Sequence, residues 1–137
     1  MSQAILLDTC AFIWLVNADD LRAEAVAALH EMEMEPDGIL VSPISAWEIG
    51  QLVARGRLRL PSEPAKWFER PLQGGLALAP LPPSVLVAAS FLPGAPLRDP
   101  ADRIIAATAR SYGYRLMTRD RALLGLAGEG HLKAIAC

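Results

Sequence analysis

The chain has 137 residues, 53% of them hydrophobic, and a formal net charge of −2. That length allows one domain with a proper core, over residues 1–137, and the apolar share excludes a disordered chain. No apolar run is long enough to span a bilayer, and the N-terminus lacks the basic start and small-residue cleavage site of a signal peptide, so a cytoplasmic protein with no membrane partner is expected.

Residues 3–7 read as a short buried strand that ends at Asp8. An apolar helix over 11–16 follows, and Asp19 and Asp20 are placed to cap a second helix, 21 to about 34. The turn Pro36-Asp37-Gly38 leads into a second buried strand, 39–41. Ser42 and Pro43 open a helix that runs to about Arg55 and is closed by Gly56. Beyond a breaker at 61–64, a helix is expected over 65–72, a third strand over 76–81, and a helix from Pro82-Pro83 through Leu92. Asp99-Pro100 opens a strong helix, 101–112, closed by Gly113. A fourth strand over 114–118, a short helix over 121–126 and a possible fifth strand over 132–136 complete the chain. Strands alternate with helices, and the strands are uniformly apolar. The expected fold class is therefore α/β, with a small parallel sheet of four to five strands flanked by helices on both faces.

Charge is unevenly distributed. Residues 1–50 carry −8 and residues 51–137 carry +6, and eleven of the thirteen basic residues are arginine. Arginine suits bidentate contact with phosphate or carboxylate. A lopsided solvated surface explains the charge equally well. Cys10 and Cys137 have neither framework nor metal spacing, which fits a reducing compartment. His30 and His131 share no metal spacing, and Trp14, Trp47 and Trp67 read as core residues rather than stacking surfaces.

Four acids stand at the joints of the chain: Asp8, Glu48, Asp102 and Asp120. Each interrupts or ends an apolar run, where a carboxylate is costly unless neutralised. Asp8 and Asp120 follow strands directly and Asp102 starts a helix, so the three can share one end of the sheet, where ligands of open α/β folds bind. Taken singly, Asp8, Asp120 and the pair Asp99/Asp102 also read as helix caps and first-turn acids. Glu48 is harder to explain locally, because Ile44 and Leu52 at i±4 share its helix face; a salt bridge to an arginine is the plain alternative. Gathered together, the acids would repel and need a hard divalent cation, Mg²⁺ or Mn²⁺. Thr9, Ser45 and Thr118 are hydroxyls beside them, suited to orienting a carboxylate or to capping, and Asp99 is counted with them as an orienting neighbour. Arg103 and Arg119 flank two of the acids, to touch phosphate or to hold the acids in place.

Together the motifs resemble the PIN-domain family, and within it the VapC-type ribonuclease toxins of bacterial toxin–antitoxin pairs. The likeness runs nearly end to end. It rests on Leu6-Leu7-Asp8-Thr9 with Trp14-Leu15, Val41-Ser42 through Ser45-Ala46-Trp47-Glu48-Ile49, and Gly56-Arg57-Leu58-Arg59-Leu60-Pro61. Asp99-Pro100-Ala101-Asp102-Arg103 with Ile105-Ala106-Ala107, and Thr118-Arg119-Asp120, complete it. The resemblance implies a PIN fold and Mg²⁺- or Mn²⁺-dependent endoribonuclease activity leaving 5′-phosphate and 3′-hydroxyl ends. It implies a metal site at Asp8, Glu48, Asp102 and Asp120, a homodimer or higher assembly, and a cognate antitoxin that wraps the toxin. The chain departs from the usual pattern at Cys10, Leu52, Leu97 and Ala101, which bears on substrate contacts and removes no acid. A PIN-like module that binds RNA or protein without cutting is the alternative. A haloacid-dehalogenase phosphatase is disfavoured because Cys10 stands where its second aspartate belongs. A receiver domain is disfavoured because the third strand ends in proline.

Overall fold

The computed structural model describes residues 3–137. A central strand β1 (Ile5–Leu7) is followed by α1 (Thr9–Val16), α2 (Ala23–Met32), β2 (Ile39–Val41), α3 (Pro43–Ala54), α4 (Pro64–Gln73) and β3 (Ala77–Leu78). Then come α5 (Pro83–Ala88), α6 (Pro100–Tyr112), β4 (Arg115–Thr118), α7 (Arg121–Gly128) and β5 (Lys133–Ala136). The five strands form one sheet in the order β3-β2-β1-β4-β5, and every pairing is parallel.

The apolar strands follow from burial on both faces. Ile5, Leu7, Ile39, Val41 and Met117 point to one side, where they pack with Phe12, Ala25, Leu29, Ile49, Trp67 and Phe68 from α1 to α4. Leu6, Leu40 and Leu116 point to the other and meet Ile105, Ala106, Leu123 and Leu126 of α6 and α7. Successive strand residues thus serve opposite cores, as the two-residue period of a strand requires. Phe12 is fully buried, edge-on to Trp67 at 5.7 Å between centroids and 5.0 Å from Phe68.

Because all strands are parallel, their C-terminal ends lie along one edge. The chain winds from β1 to β2 and β3 on one side and returns to β4 and β5 on the other, so the order reverses between β1 and β4. Asp8 leaves β1 at that reversal, and Asp120 follows β4.

Several expected boundaries shift for physical reasons. Asp19 and Asp20 do not cap α2; Arg22 occupies its N-cap, without a side-chain bond. The Asp19 amide instead donates to Trp14 O at 2.8 Å behind Ala18, whose φ is +56°, so this segment closes α1. The expected third strand shrinks to two residues plus the Ala79 amide, which donates to Val41 O at 2.8 Å. Pro80, Pro82 and Pro83 lack the donors that would extend it. Helix α5 stops at Ala88, and Ser90 and Phe91 turn back onto the carbonyls of Val87 and Ala88 instead of continuing to Leu92. Helix α6 ends as read from the sequence, with Gly113 at φ +69° in the left-handed region that glycine enters freely. Trp67 is buried, Trp14 is half-buried, and Trp47, read as core, is 55% exposed, on the side of α3 away from buried Ser45 and Ile49.

Truncating Phe12 removes the aromatic hub of the α1–α4 core. Phe12→Ala is expected to lower the unfolding free energy by about 3–5 kcal/mol, to be read from the midpoint and slope of urea denaturation.

Candidate active site

Each acid-bearing joint forms because a short polar side chain closes the start of a helix. The Asp8 carboxylate accepts the Ala11 amide at 2.7 Å and caps α1. Asp120 accepts the Leu123 amide at 3.0 Å and caps α7, and Asp99 accepts the Asp102 amide at 3.1 Å and caps α6. Ser42 caps α3 through the Ile44 amide at 3.1 Å. Capping and clustering are therefore two consequences of the same placement. Helix N-termini favour negative charge, and the parallel sheet brings the N-termini of α1, α3 and α7 to the edge where β1, β2 and β4 end.

Hydroxyls knit the acids together. The Thr118 hydroxyl donates to Asp8 Oδ2 at 2.5 Å and accepts the Asp120 amide at 3.0 Å, so one side chain ties two acids 112 positions apart in the chain. The Thr9 hydroxyl donates to Glu48 Oε1. Its oxygen also lies 2.8 Å from Ser45 Oγ, which leaves Ser45 as the donor to Thr9. Thr9, Ser45 and Thr118 are all buried. Asp8 is 6% exposed, Glu48 and Asp102 are half-buried, and Asp99 and Asp120 are exposed.

The electrostatics follow. Burial, and then Asp99, Asp120, Glu48 and Asp8, push the Asp102 carboxyl up to about 7 from an ordinary 3.8. Burial likewise raises Asp8, opposed by its bonds from Thr118 and Ala11 and reinforced by Asp120. Burial raises Glu48, opposed by Thr9 and reinforced by Asp99 and Asp8. No ion pair found among the described residues involves these acids. Glu48 therefore takes the Thr9 hydroxyl rather than an arginine as its partner.

Asp99, read from the sequence both as a cap and as an orienting neighbour of the acids, contributes most among the charges that raise Asp102 and Glu48. Cys10 gains its meaning only in three dimensions. It lies in the field of Asp8, Glu48, Asp102 and Asp120, and partial burial of its thiol together with those charges lifts it to about 11, so it stays protonated at neutral pH. Arg103 and Arg119 both engage backbone carbonyls: Arg103 Nε donates to Leu97 O, and Arg119 Nη2 donates to Cys137 O at 2.7 Å. The Arg119 guanidinium also lies 3.8 Å from the centroid of the Trp14 ring.

Among the described residues, no three His, Cys, Asp or Glu side chains already close around a common point as ligands. The donor set nevertheless suits a hard cation. It consists of carboxylate oxygens raised first by burial and then by one another's charge, with no salt bridge to them among the described residues and only the more distant Arg119 charge opposing at Asp8. A cavity of about 720 Å³ opens between Gly38 and Tyr114, at the start of the strands, and contains none of these acids.

The PIN domain model matches residues 5–129. The chain belongs to the PIN-domain family. It is 33% identical over 120 residues to ribonuclease VapC22 of Mycobacterium tuberculosis, across 87% of this chain and 88% of that protein. Among solved structures, it resembles a chain of VapBC2 from Rickettsia felis bound to a promoter DNA fragment. The TM-score is 0.67 at 14% identity, over 96% of this chain and 98% of the other. It also resembles a chain of FitAB bound to an IR36 DNA fragment, with a TM-score of 0.60 at 22% identity, over 96% and 94%. Both likenesses confirm the α/β fold.

The raised Asp102 carboxyl has a signed consequence for stability. Between pH 3.8 and about 7 the unfolded chain has lost this proton while the folded chain keeps it. The folded state then binds more protons, and stability falls as pH rises through that window. In metal-free protein, Asp102→Asn is expected to melt roughly 3–6 °C above the unsubstituted chain at pH 8, with the gap closing below pH 4. Melting curves over that pH range measure it.

Proposed function

We propose that the chain is a Mg²⁺- or Mn²⁺-dependent endoribonuclease and the toxin of a type II toxin–antitoxin pair. The observation that carries this reading is the gathering of Asp8, Glu48, Asp99, Asp102 and Asp120 in one electrostatic neighbourhood with no ion-pair partner among the described residues. Capping explains Asp8, Asp99 and Asp120 singly, but burial and then the neighbouring charges raise Asp8, Glu48 and Asp102, which costs folding free energy that a cation would offset. Kinship to a protein named as a ribonuclease gives the substrate class.

In this reading Asp8, Glu48, Asp102 and Asp120 hold the cation. A bound Mg²⁺ or Mn²⁺ would supply positive charge beside the scissile phosphate and acidify a water. The chain's own residues fix the stage. Thr118 and the Ala11 amide hold both oxygens of Asp8, and Thr9, backed by Ser45, holds Glu48. Asp102 gains most from a cation, since its charge is otherwise costly enough to lift it to about 7. The water oxygen joins phosphorus, the P–O3′ bond breaks, and a proton passes to O3′, leaving 5′-phosphate and 3′-hydroxyl ends.

The exposed cations Arg55, Arg57 and Arg59 beyond α3, and others of the arginine-rich remainder of the chain, serve RNA backbone binding that weakens as salt rises. The partner is a cognate antitoxin, in line with the VapBC and FitAB complexes, and the chain acts as a homodimer in the cytoplasm.

The deciding experiment incubates a mixed tRNA and ribosomal RNA pool with antitoxin-free protein in Mg²⁺, in Mn²⁺ and in EDTA. Discrete products are expected with either metal and none in EDTA. Asp8→Asn and Asp102→Asn are expected to cut no faster than the EDTA control while keeping the native circular dichroism spectrum, since asparagine caps a helix as well as aspartate does. Folded protein that binds RNA without metal-dependent products would favour a non-catalytic PIN module.

A further inference from the structure

Arg119 stands between Thr118 and Asp120, and its side chain engages Trp14 and Cys137. One face of the guanidinium lies on the Trp14 indole, 3.8 Å from the ring centroid. One edge donates to Cys137 O at 2.7 Å, and the Cys137 amide returns a bond to Thr118 O at 3.1 Å. One side chain thus joins three segments: α1, the end of β5, and the joint from β4 to α7. The first of these begins at its cap, Asp8, and the last contains Asp120. The bridge between those two acids is the Thr118 hydroxyl, which must lie within reach of Asp8 Oδ2 and the Asp120 amide at once. Two like charges favour separation, so the backbone on either side of Thr118 has to be held from outside the cluster. A planar, delocalised guanidinium stacked on an indole and bonded to a carbonyl is suited to that task, whereas an ammonium in its place would keep the charge and lose the fork and the stack.

We infer that Arg119 is a positioning residue: with Trp14 it latches α1 to the β4–α7 joint and so fixes the spacing of Asp8 and Asp120 on which cation binding depends. The inference rests on the metal-dependent reading above for its consequence, and on the Trp14 and Cys137 contacts for the latch itself. It assigns Arg119 to the metal site's framework and not to RNA phosphate.

The test is a double-mutant cycle on metal-free protein, with Mn²⁺ binding measured by calorimetry for the unsubstituted chain, Arg119→Lys, Trp14→Leu and the double variant. Trp14→Phe, which keeps an aromatic face, serves as rescue. RNA binding in EDTA is measured against salt for the same set, and amide exchange is followed at Asp120 and Cys137. A latch predicts Mn²⁺ affinity weakened roughly threefold to thirtyfold in each single variant. It predicts no further loss in the double variant, near-normal binding in Trp14→Phe, faster exchange at both amides, and an unchanged salt slope. Unchanged Mn²⁺ affinity in Arg119→Lys, with a shallower salt slope in the charge-removing control Arg119→Met, would overturn it and make Arg119 a phosphate contact. If Trp14→Leu fails to fold, Arg119→Lys and Trp14→Phe still decide. If the unsubstituted chain binds no Mn²⁺, the metal reading fails by itself. Exchange then judges the latch: faster exchange at Asp120 and Cys137 in Arg119→Lys upholds it, and unchanged exchange overturns it.

Discussion

Pairing of β1 with β2 on one side and β4 on the other is the constraint from which the rest of the molecule follows. A strand with two parallel neighbours is covered above and below by crossover helices, so its side chains must be apolar on both faces. Its three residues, Ile5, Leu6 and Leu7, are all fully buried. The next residue has left the ladder but not the interior, and it is an aspartate. Everything at the acid edge answers the problem created there. The Ala11 amide and the Thr118 hydroxyl satisfy Asp8, and Thr118 is within reach because β4 runs beside β1 in register, with Leu7 opposite Met117.

The same edge shows how one residue type serves two needs. Asp8, Asp99 and Asp120 each accept a backbone amide and start a helix. A carboxylate used as a cap keeps lone pairs for other work. The choice between structural and functional readings of these aspartates is therefore a false one. Of the acids that burial and then mutual repulsion raise, Asp8 is one its helix needs in any case, whereas Glu48 and Asp102 cap nothing.

Much of this was legible in the sequence. Uniformly apolar strands alternating with helices announced a parallel sheet, and Ser42-Pro43, Asp99-Pro100 and Gly113 marked helix ends within a residue or two. Failures came where a local signal had two competing uses. Asp19 and Asp20 look like caps, but the backbone there closes α1 around the left-handed Ala18. Residues 76–81 look like a strand, but an edge position and three prolines leave two residues in the ladder. Trp47 looks like core by hydrophobicity alone, although its place on α3, opposite Ser45 and Ile49, sends it to the surface. Of the candidate site, the acids and their neighbouring hydroxyls could be named from local pattern. Which hydroxyl serves which acid could not, because Thr118 reaches Asp8 across the sheet and Thr9 reaches Glu48 across two helices. Nor did sequence place Cys10 in the field of four acids, since that depends on all four joints meeting.

The bond from Thr118 to Asp8 spans 110 positions, and this separation imposes an order of events on synthesis. While the chain is emerging, β1 has β2 to pair with but lacks its other neighbour, and Asp8 lacks both Thr118 and Asp120. Contacts of such long range form late, after the segment that closes them has been made. An unfinished chain therefore carries Asp8, Glu48 and Asp102 as separate acids with no common site. The molecule acquires its full acid edge only when β4 docks beside β1 and carries Thr118 and Asp120 to Asp8.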